Sequence, residues 1–127
     1  MNTQIRLTEY QESFKKSCNT GWGCGYVLIP LKHPFADVKM LLNNDTYFYP
    51  QISGFSEEIT FAEVEGEFLV IGFDTAHSWN NSTQNKNFVE QKTNELKTFI
   101  DNYTIIDAKL EVQKMLIDLR TKFKDYL

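Results

Sequence analysis

One apolar stretch near the middle of the chain limits the possible folds more than any other feature. Residues 68–73 are apolar apart from one glycine, and the polar residues Asp74, Thr75 and His77 follow within four positions. A short apolar run of this kind, rich in aromatic and β-branched residues, is typical of a strand that is covered on both faces. The stretch therefore predicts a central strand whose end brings polar side chains to the surface.

A tight connection precedes this stretch. Residues 58–64 alternate in part between polar and apolar, as expected for a strand with one face in water. Only Glu65 and Gly66 separate this segment from the returning arm at 67–73. Two strands joined so closely are expected to pair as an antiparallel hairpin.

Other strand signals lie earlier in the chain. Residues 26–29 form an apolar, β-branched run that ends at Pro30, and residues 46–49 form a short aromatic run that ends at Pro50. Proline is a common strand terminator because it lacks a backbone N–H. The apolar residues within 1–20 are spaced at two, three and four positions, which fits either a short strand or a helix.

Two amphipathic helices are predicted in the C-terminal third, after one possible helical turn at 38–42. The first should run for about four turns and end near Asp101, with an apolar side formed by Phe88, Val89, Leu96, Phe99 and Ile100. Residues 103–106 fit a short strand or a linker, and Asp107 is placed to cap the second helix. The second helix has an apolar stripe formed by Val112, Leu116, Leu119, Phe123 and Tyr126, joined by Met115.

The order of elements, strands first and helices last, predicts an α+β fold. We expect a small antiparallel sheet with two C-terminal amphipathic helices packed on it, in a single domain that covers residues 1–127. The last helix could also pack on another copy of the chain, so a homodimer is a second possibility.

Several classes of protein are excluded by composition. No apolar run approaches the ~20 residues that span a membrane, and the N-terminal residues lack the apolar core of a signal peptide. We therefore expect a cytoplasmic protein without a membrane partner. Cys18 and Cys24 are separated by five residues, which is not Cys-x-x-Cys spacing, so both are expected to be thiols.

Charge is distributed unevenly along the chain. No Lys or Arg lies between Lys39 and Lys86, whereas the same interval contains Asp45, Glu57, Glu58, Glu63, Glu65, Glu67 and Asp74. Because phosphate binding needs Lys and Arg, direct binding of nucleic acid is not expected there. A cation or a basic protein surface would suit the acidic interval, and so would turns that only face water.

The polar residues after the central strand are the strongest candidate site. Asp74 precedes His77 by three positions, so a turn can place both side chains on one side. A carboxylate beside an imidazole fixes its tautomer, which suits general base catalysis or metal binding. Alternatively, Asp74 caps a turn and His77 packs on Trp79. The sequence leaves both interpretations open.

The only other histidine is His33, in a His-Pro loop. If the sheet brings this loop beside the end of the central strand, His33 would join Asp74 and His77. Two imidazoles and a carboxylate would be enough for a divalent metal, and Glu57 or Glu58 could add a further ligand. The spacing does not require a metal ion or a cofactor, and neither is predicted.

Two tryptophans lie in segments that favour exposure. Trp22 stands between two glycines, and Trp79 lies in a polar loop. Exposed tryptophans anchor protein partners or stack on ligand rings, although loop tryptophans also close over the edge of a core. We predict Trp22, Trp79, Glu57 and Glu58 as candidate binding residues. The glycines at 21, 23 and 25 lack the spacing of a phosphate-binding loop.

Three segments resemble a known family. Gly25-Tyr-Val-Leu-Ile-Pro30, Lys32-His-Pro34 and Ile71-Gly-Phe-Asp-Thr-Ala-His77 are similar to segments of a family of small uncharacterised phage and prophage proteins. A helix with a Phe/Tyr-Val-x-x-Glu-like pattern follows in that family, comparable to Phe88-Val89-Glu90 here. The resemblance covers roughly residues 25–100, and the last helix lies outside it.

The chain departs from this family in one place. Where the family has a His-Gly-Gly-Leu-Thr-Phe-like strand, residues 53–56 read Ser-Gly-Phe-Ser, with a turn signal at 53–54. A histidine of the family pattern is therefore missing. The family has no established activity, so the resemblance implies no catalytic residues. It implies an origin in a phage or another mobile element, whose small accessory proteins often act on host machinery or defence systems, including CRISPR nucleases.

These observations lead to three hypotheses of function. The first is a phage or mobile-element accessory protein that binds a host protein, as an anti-CRISPR inhibitor does. The second is a small metal-assisted or general acid–base hydrolase that uses Asp74 and His77 with His33 or Glu57. The third is a domain that captures a nucleotide-like ligand against a tryptophan.

Overall fold

The computed structural model of the protein describes residues 2–42, 57–77 and 79–126. The predicted strand at 46–49 and the predicted turn at 53–54 lie outside these residues. In chain order the elements are β1 (Gln4–Glu9), α1 (Glu12–Ser17), β2 (Gly23–Pro30), α2 (Pro34–Leu42), β3 (Phe61–Glu65), β4 (Phe68–Asp74), α3 (Lys86–Asp101) and α4 (Ile105–Phe123), followed by a 3₁₀ turn (Lys124–Tyr126).

The four strands form one antiparallel sheet in the order β1-β2-β4-β3. β4 lies inside the sheet between β2 and β3, and its residues 69–73 are buried. Gly66, with φ at 61°, makes the turn from β3 to β4 in a backbone region that favours glycine. The predicted hairpin and the predicted central strand are both confirmed. β3 begins at Phe61, three residues later than the prediction.

One face of the sheet is covered by α3. Val89, Thr93, Leu96 and Ile100 are its buried residues, and they recur every three or four positions as a helix packed on a sheet requires. They lie over β2 and β1. The core contains residues of α3, the sheet and α2. They are Leu96 and Ile100 of α3, Val27 and Ile29 of β2, Leu69 and Ile71 of β4, and Phe35 and Ala36 of α2, together with Ile59.

The close approach of α3 to the sheet depends on Gly25. A Cβ atom built at this position would overlap the hydroxyl oxygen of Thr93 and would lie 2.9 Å from the ring of Phe73. Gly25 lies inside β2, one residue before the strand run predicted at 26–29, and it makes room there for the helix.

The last helix has a different environment from α3. It packs mainly against α2, and Ala108 is its buried residue. A capping box begins it: the Thr104 hydroxyl accepts from Asp107 N at 3.2 Å, and the Asp107 carboxylate accepts from Thr104 N at 2.8 Å. The N-cap is therefore Thr104, not Asp107 as predicted. An antiparallel sheet with two helices at the C-terminal end confirms the predicted α+β fold class.

The N-terminal segment contains both structures that its spacing allowed, a strand and then a short helix. α2 is longer than the single turn predicted at 38–42. Cys18 and Cys24 are free. In the described part of the chain, no helix combines the length and the apolar character needed to cross a bilayer.

Candidate functional site

The end of β4 is shaped by the side chain of Asp74. One carboxylate oxygen accepts from Ala76 N at 3.0 Å, and the other accepts from the Thr60 hydroxyl at 2.8 Å. The first bond closes a turn two residues beyond Asp74, which is a common role for aspartate. The second bond ties this turn to the segment that enters β3. The interpretation of Asp74 as a turn cap is confirmed.

Thr75 anchors the same turn to the start of β2. Its hydroxyl donates to Gly23 O at 2.7 Å and accepts from Gly23 N at 3.2 Å, while its own carbonyl accepts from Gly21 N at 2.7 Å. Its N–H donates to the hydroxyl of Tyr10 at 3.1 Å. Burial, reinforced by the neighbouring thiol of Cys24, raises the pKa of Tyr10 above its usual range. These bonds tie the turn after β4 to the start of β2 and to Tyr10.

His77 lies among oxygen acceptors. Its Nδ1 is 3.1 Å from Asn80 Oδ1 and 3.4 Å from Asp74 Oδ1, and its Nε2 is 3.9 Å from Glu58 Oε2. Asn80 Oδ1 also accepts from His77 N at 2.8 Å, which identifies it as the amide oxygen. Because both neighbours of Nδ1 are acceptors, Nδ1 carries the proton in the neutral ring. The contact with Glu58 becomes an ion pair when Nε2 is also protonated.

Trp79 lies flat on His77. The two ring centroids are 4.4 Å apart and the planes are inclined by 9°. The tryptophan is nevertheless 60% exposed, so the stack covers one face of the indole and leaves the other open. The predicted packing of His77 on Trp79 is confirmed.

The other tryptophan, Trp22, is half-buried. Its carbonyl oxygen accepts from Tyr10 N at 3.0 Å, and its N–H donates to Gln84 O at 2.8 Å.

The structure does not bring His33 to this site. His33 follows Pro30, which is paired with Phe68 at one end of β4, whereas Asp74 is paired with Cys24 at the other end. The two ends are six residues apart, or roughly 20 Å at about 3.3 Å per residue. The predicted cluster of His33, Asp74 and His77 is therefore wrong.

His33 has a local role at the start of α2. It is buried, and its Nδ1 accepts from Phe35 N at 3.1 Å. Burial lowers the pKa of His33, although the carboxylate of Asp101 acts in the opposite direction. The histidine thus caps the helix in its neutral form.

In residues 2–42, 57–77 and 79–126, no group of three His, Cys, Asp or Glu side chains could hold a metal ion. This part of the chain therefore supplies no ligand set for the metal-assisted form of the hydrolase hypothesis. Of the two carboxylates predicted near the site, Glu58 contacts the ring of His77. Among the described residues around this turn, the Thr60 hydroxyl donates to Asp74 and the Thr75 hydroxyl donates to Gly23. Both of these hydroxyl protons are therefore engaged away from His77.

We compared the chain with protein-family models, with curated proteins and with solved structures. None matches. The resemblance to small phage proteins therefore stays a prediction.

Two clefts at the helices were not predicted. A groove of about 1080 Å³ lies between α3 and α4, with Phe99, Tyr103 and Leu110 as its apolar part. The hydroxyl of Tyr103 donates to Glu111 Oε1 at 2.8 Å. A smaller cleft of about 320 Å³ lies between α2 and α4. The sequence indicated both C-terminal helices, but it carries no direct signal for the angle between them.

Proposed function

We propose that this protein is an accessory protein of a phage or another mobile element that acts by binding a host protein. The observation that carries the proposal is the exposed indole of Trp79, which is held flat against His77. Large aromatic side chains dominate the energy of many protein interfaces. An indole that is already fixed loses little conformational freedom on binding, so more of its contact energy contributes to affinity.

The surroundings of Trp79 favour a basic partner surface. Glu58 and Asp74 lie beside His77. The interval between Lys39 and Lys86 contains no Lys or Arg. Acidic groups at the rim of an interface accelerate encounter with a basic surface and disfavour nucleic acid.

Inhibition of a host defence protein is the form of binding that we propose. Its support is the resemblance of residues 25–100 to small phage proteins, together with a site that presents a fixed aromatic anchor. A protein that blocks a nuclease by covering its basic surface needs an acidic, pre-organised surface and no chemical step. Such a protein would act in the cytoplasm of the host cell.

The first experiment is affinity capture from lysate of a host with an active defence system. Wild-type protein, Trp79→Ala and Glu58→Lys serve as baits, and Val64→Ala is the matched control, because Val64 is an exposed apolar residue on β3. We expect a defence protein to be captured by wild type and by Val64→Ala and to be lost or depleted with the other two. Expression of wild type should also raise phage plating on the defended host. No captured defence protein and unchanged plating would contradict the proposal.

A further inference from the structure

Among the described residues, most of the large apolar side chains that are exposed lie on α4 and the turn that follows it. Of the eleven large apolar side chains that are exposed among the described residues, eight lie within 105–126: Ile105, Ile106, Leu110, Leu116, Ile117, Leu119, Phe123 and Tyr126. Monomeric proteins rarely leave so many apolar residues together in water, and such patches mark interaction sites.

Part of this surface has the spacing of a coiled-coil seam. Val112, Leu116, Leu119, Phe123 and Tyr126 follow one another at four, three, four and three positions. At about 100° per residue, these side chains lie within roughly 80° of one another around the helix axis. The stripe continues the side of α4 on which Ala108 is buried, and every residue from 116 to 126 is exposed. The seam therefore extends beyond the part of α4 that α2 covers.

We propose that this stripe pairs with the same stripe of a second copy of the chain, with the two α4 helices antiparallel. Seam positions in antiparallel coiled coils alternate between the two helices, so Leu116 lies opposite Leu119 of the second copy. In that register Val112 of each copy lies opposite Phe123 of the other. Each of the two pairs occurs twice by symmetry, which gives four apolar layers. The pairing is isologous and closes as a dimer.

The charges that flank the stripe fit this register. Lys122 comes within about two residues of Glu111 of the second copy, on the same flank, and this occurs twice by symmetry. Within its own chain Glu111 already pairs with Lys39 at 3.0 Å and accepts from Tyr103 at 2.8 Å, so Lys122 would approach a carboxylate that is already paired. Arg120, on the other flank, lies near Gln113 of the second copy. No like charges are directly opposed, so the charge pattern of α4 is compatible with its own antiparallel copy.

The cleft between α2 and α4 fits the same second copy. It has a volume of about 320 Å³. Its apolar lining consists of Pro34, Val38, Ile105, Ala108 and Val112, and its polar lining consists of Asp37, Lys109 and Gln113. In the proposed register, Phe123 and Tyr126 of the second copy lie opposite Val112 and Lys109. The aromatic end of each α4 therefore reaches the cleft of the other copy, which extends the interface beyond the two helices.

Sedimentation equilibrium of the full chain over a wide concentration range tests the dimer. We expect wild type to dimerise, and Leu119→Asp or Phe123→Asp to raise the dimer dissociation constant by about 100-fold, because each buries a charge in an apolar layer. Ile117→Asp is the matched control: Ile117 is also exposed on α4 but lies about 140° from the stripe. It should change the constant less than about threefold. Circular dichroism should show equal helix content for all three variants.

Disulfide cross-linking tests the direction of pairing in a background with Cys18→Ser and Cys24→Ser. A mixture of Leu116→Cys and Leu119→Cys should form the mixed disulfide in preference to either homodisulfide. Preferential Leu116→Cys homodisulfides would indicate parallel helices and overturn the proposed register. A wild-type protein that stays monomeric at all concentrations would overturn the dimer. A monomeric Leu119→Asp that is less stable than wild type diluted below its dimer dissociation constant would do the same, because it would show that the stripe is covered within one chain.

Discussion

The imidazole of His77 and the indole of Trp79 lie nearly parallel, with centroids 4.4 Å apart and planes inclined by 9°. The stack joins a residue that is tied to the turn after β4 to a residue that is mostly exposed. His77 is fixed by Asn80 and by Asp74, and Asp74 is fixed by Ala76 and Thr60. The exposed indole is thus connected to the sheet through a continuous series of contacts.

Replacement of His77 by alanine should release Trp79. We expect the tryptophan emission to shift to longer wavelength and its anisotropy to fall, measured in a Trp22→Phe background so that Trp79 is the only tryptophan. Loss of the stacked pair should lower the free energy of unfolding by about 1 kcal/mol. Unchanged emission and anisotropy would show that the loop holds Trp79 without the imidazole.

Replacement of Asp74 should separate its structural role from a catalytic one. Asp74→Ala removes two hydrogen-bond acceptors and should lower the free energy of unfolding by about 2 kcal/mol in urea denaturation. Asp74→Asn keeps an oxygen for Ala76 N but presents an amide to Thr60, so its cost should be about half as large. If wild type hydrolysed a substrate and a folded Asp74→Asn did not, the hydrolase hypothesis would regain support.

Gly25→Ala should destabilise the protein strongly. The added methyl group would overlap the Thr93 hydroxyl and crowd Phe73, which should lower the free energy of unfolding by about 3 kcal/mol. The double variant Gly25→Ala/Thr93→Ala removes the hydroxyl and should recover part of the loss. If the double variant is no more stable than Gly25→Ala alone, the overlap with Thr93 is not the cause.

His33 should make stability depend on pH. Burial holds the pKa of folded His33 below its ordinary value of 6.5, so the unfolded chain binds a proton that the folded chain does not. The free energy of unfolding should therefore be greatest above pH 6.5 and should fall as the pH decreases from 6.5 towards the folded pKa. In His33→Asn this contribution is absent. The free energy of unfolding of the variant, measured by urea denaturation, should therefore depend less on pH across that window than that of wild type. An identical pH dependence in both proteins would contradict the assignment.

The sequence predicted those elements whose periodicity is unambiguous. The apolar run at 68–73 is typical of a covered strand, and the two-residue connection at Glu65 and Gly66 indicated that it pairs with the preceding strand as a hairpin. The spacing of apolar residues in α3 predicted its length and its end near Asp101. The strand–turn–helix order then predicted the fold class.

The sequence predicted the part of the candidate site whose residues are close together along the chain. It did not predict correctly the placement of a residue that is far from them in the sequence. Asp74, His77 and Trp79 lie within six positions of one another, so turn chemistry alone could bring them together. The position of His33 depended on the direction of β2 relative to β4, and the antiparallel pairing places it at the opposite end of the sheet. Likewise, no local signal indicated that α4 would rest against α2.

The affinity of Trp79 variants for the captured host protein tests the central claim most directly. Isothermal titration of the purified partner should give binding to wild type and to Val64→Ala with equal affinity. Trp79→Ala should bind at least about 30-fold more weakly, as expected for an aromatic anchor, and wild-type affinity should fall as salt increases because the surface is acidic. Wild-type affinity in a folded Trp79→Ala would contradict the account.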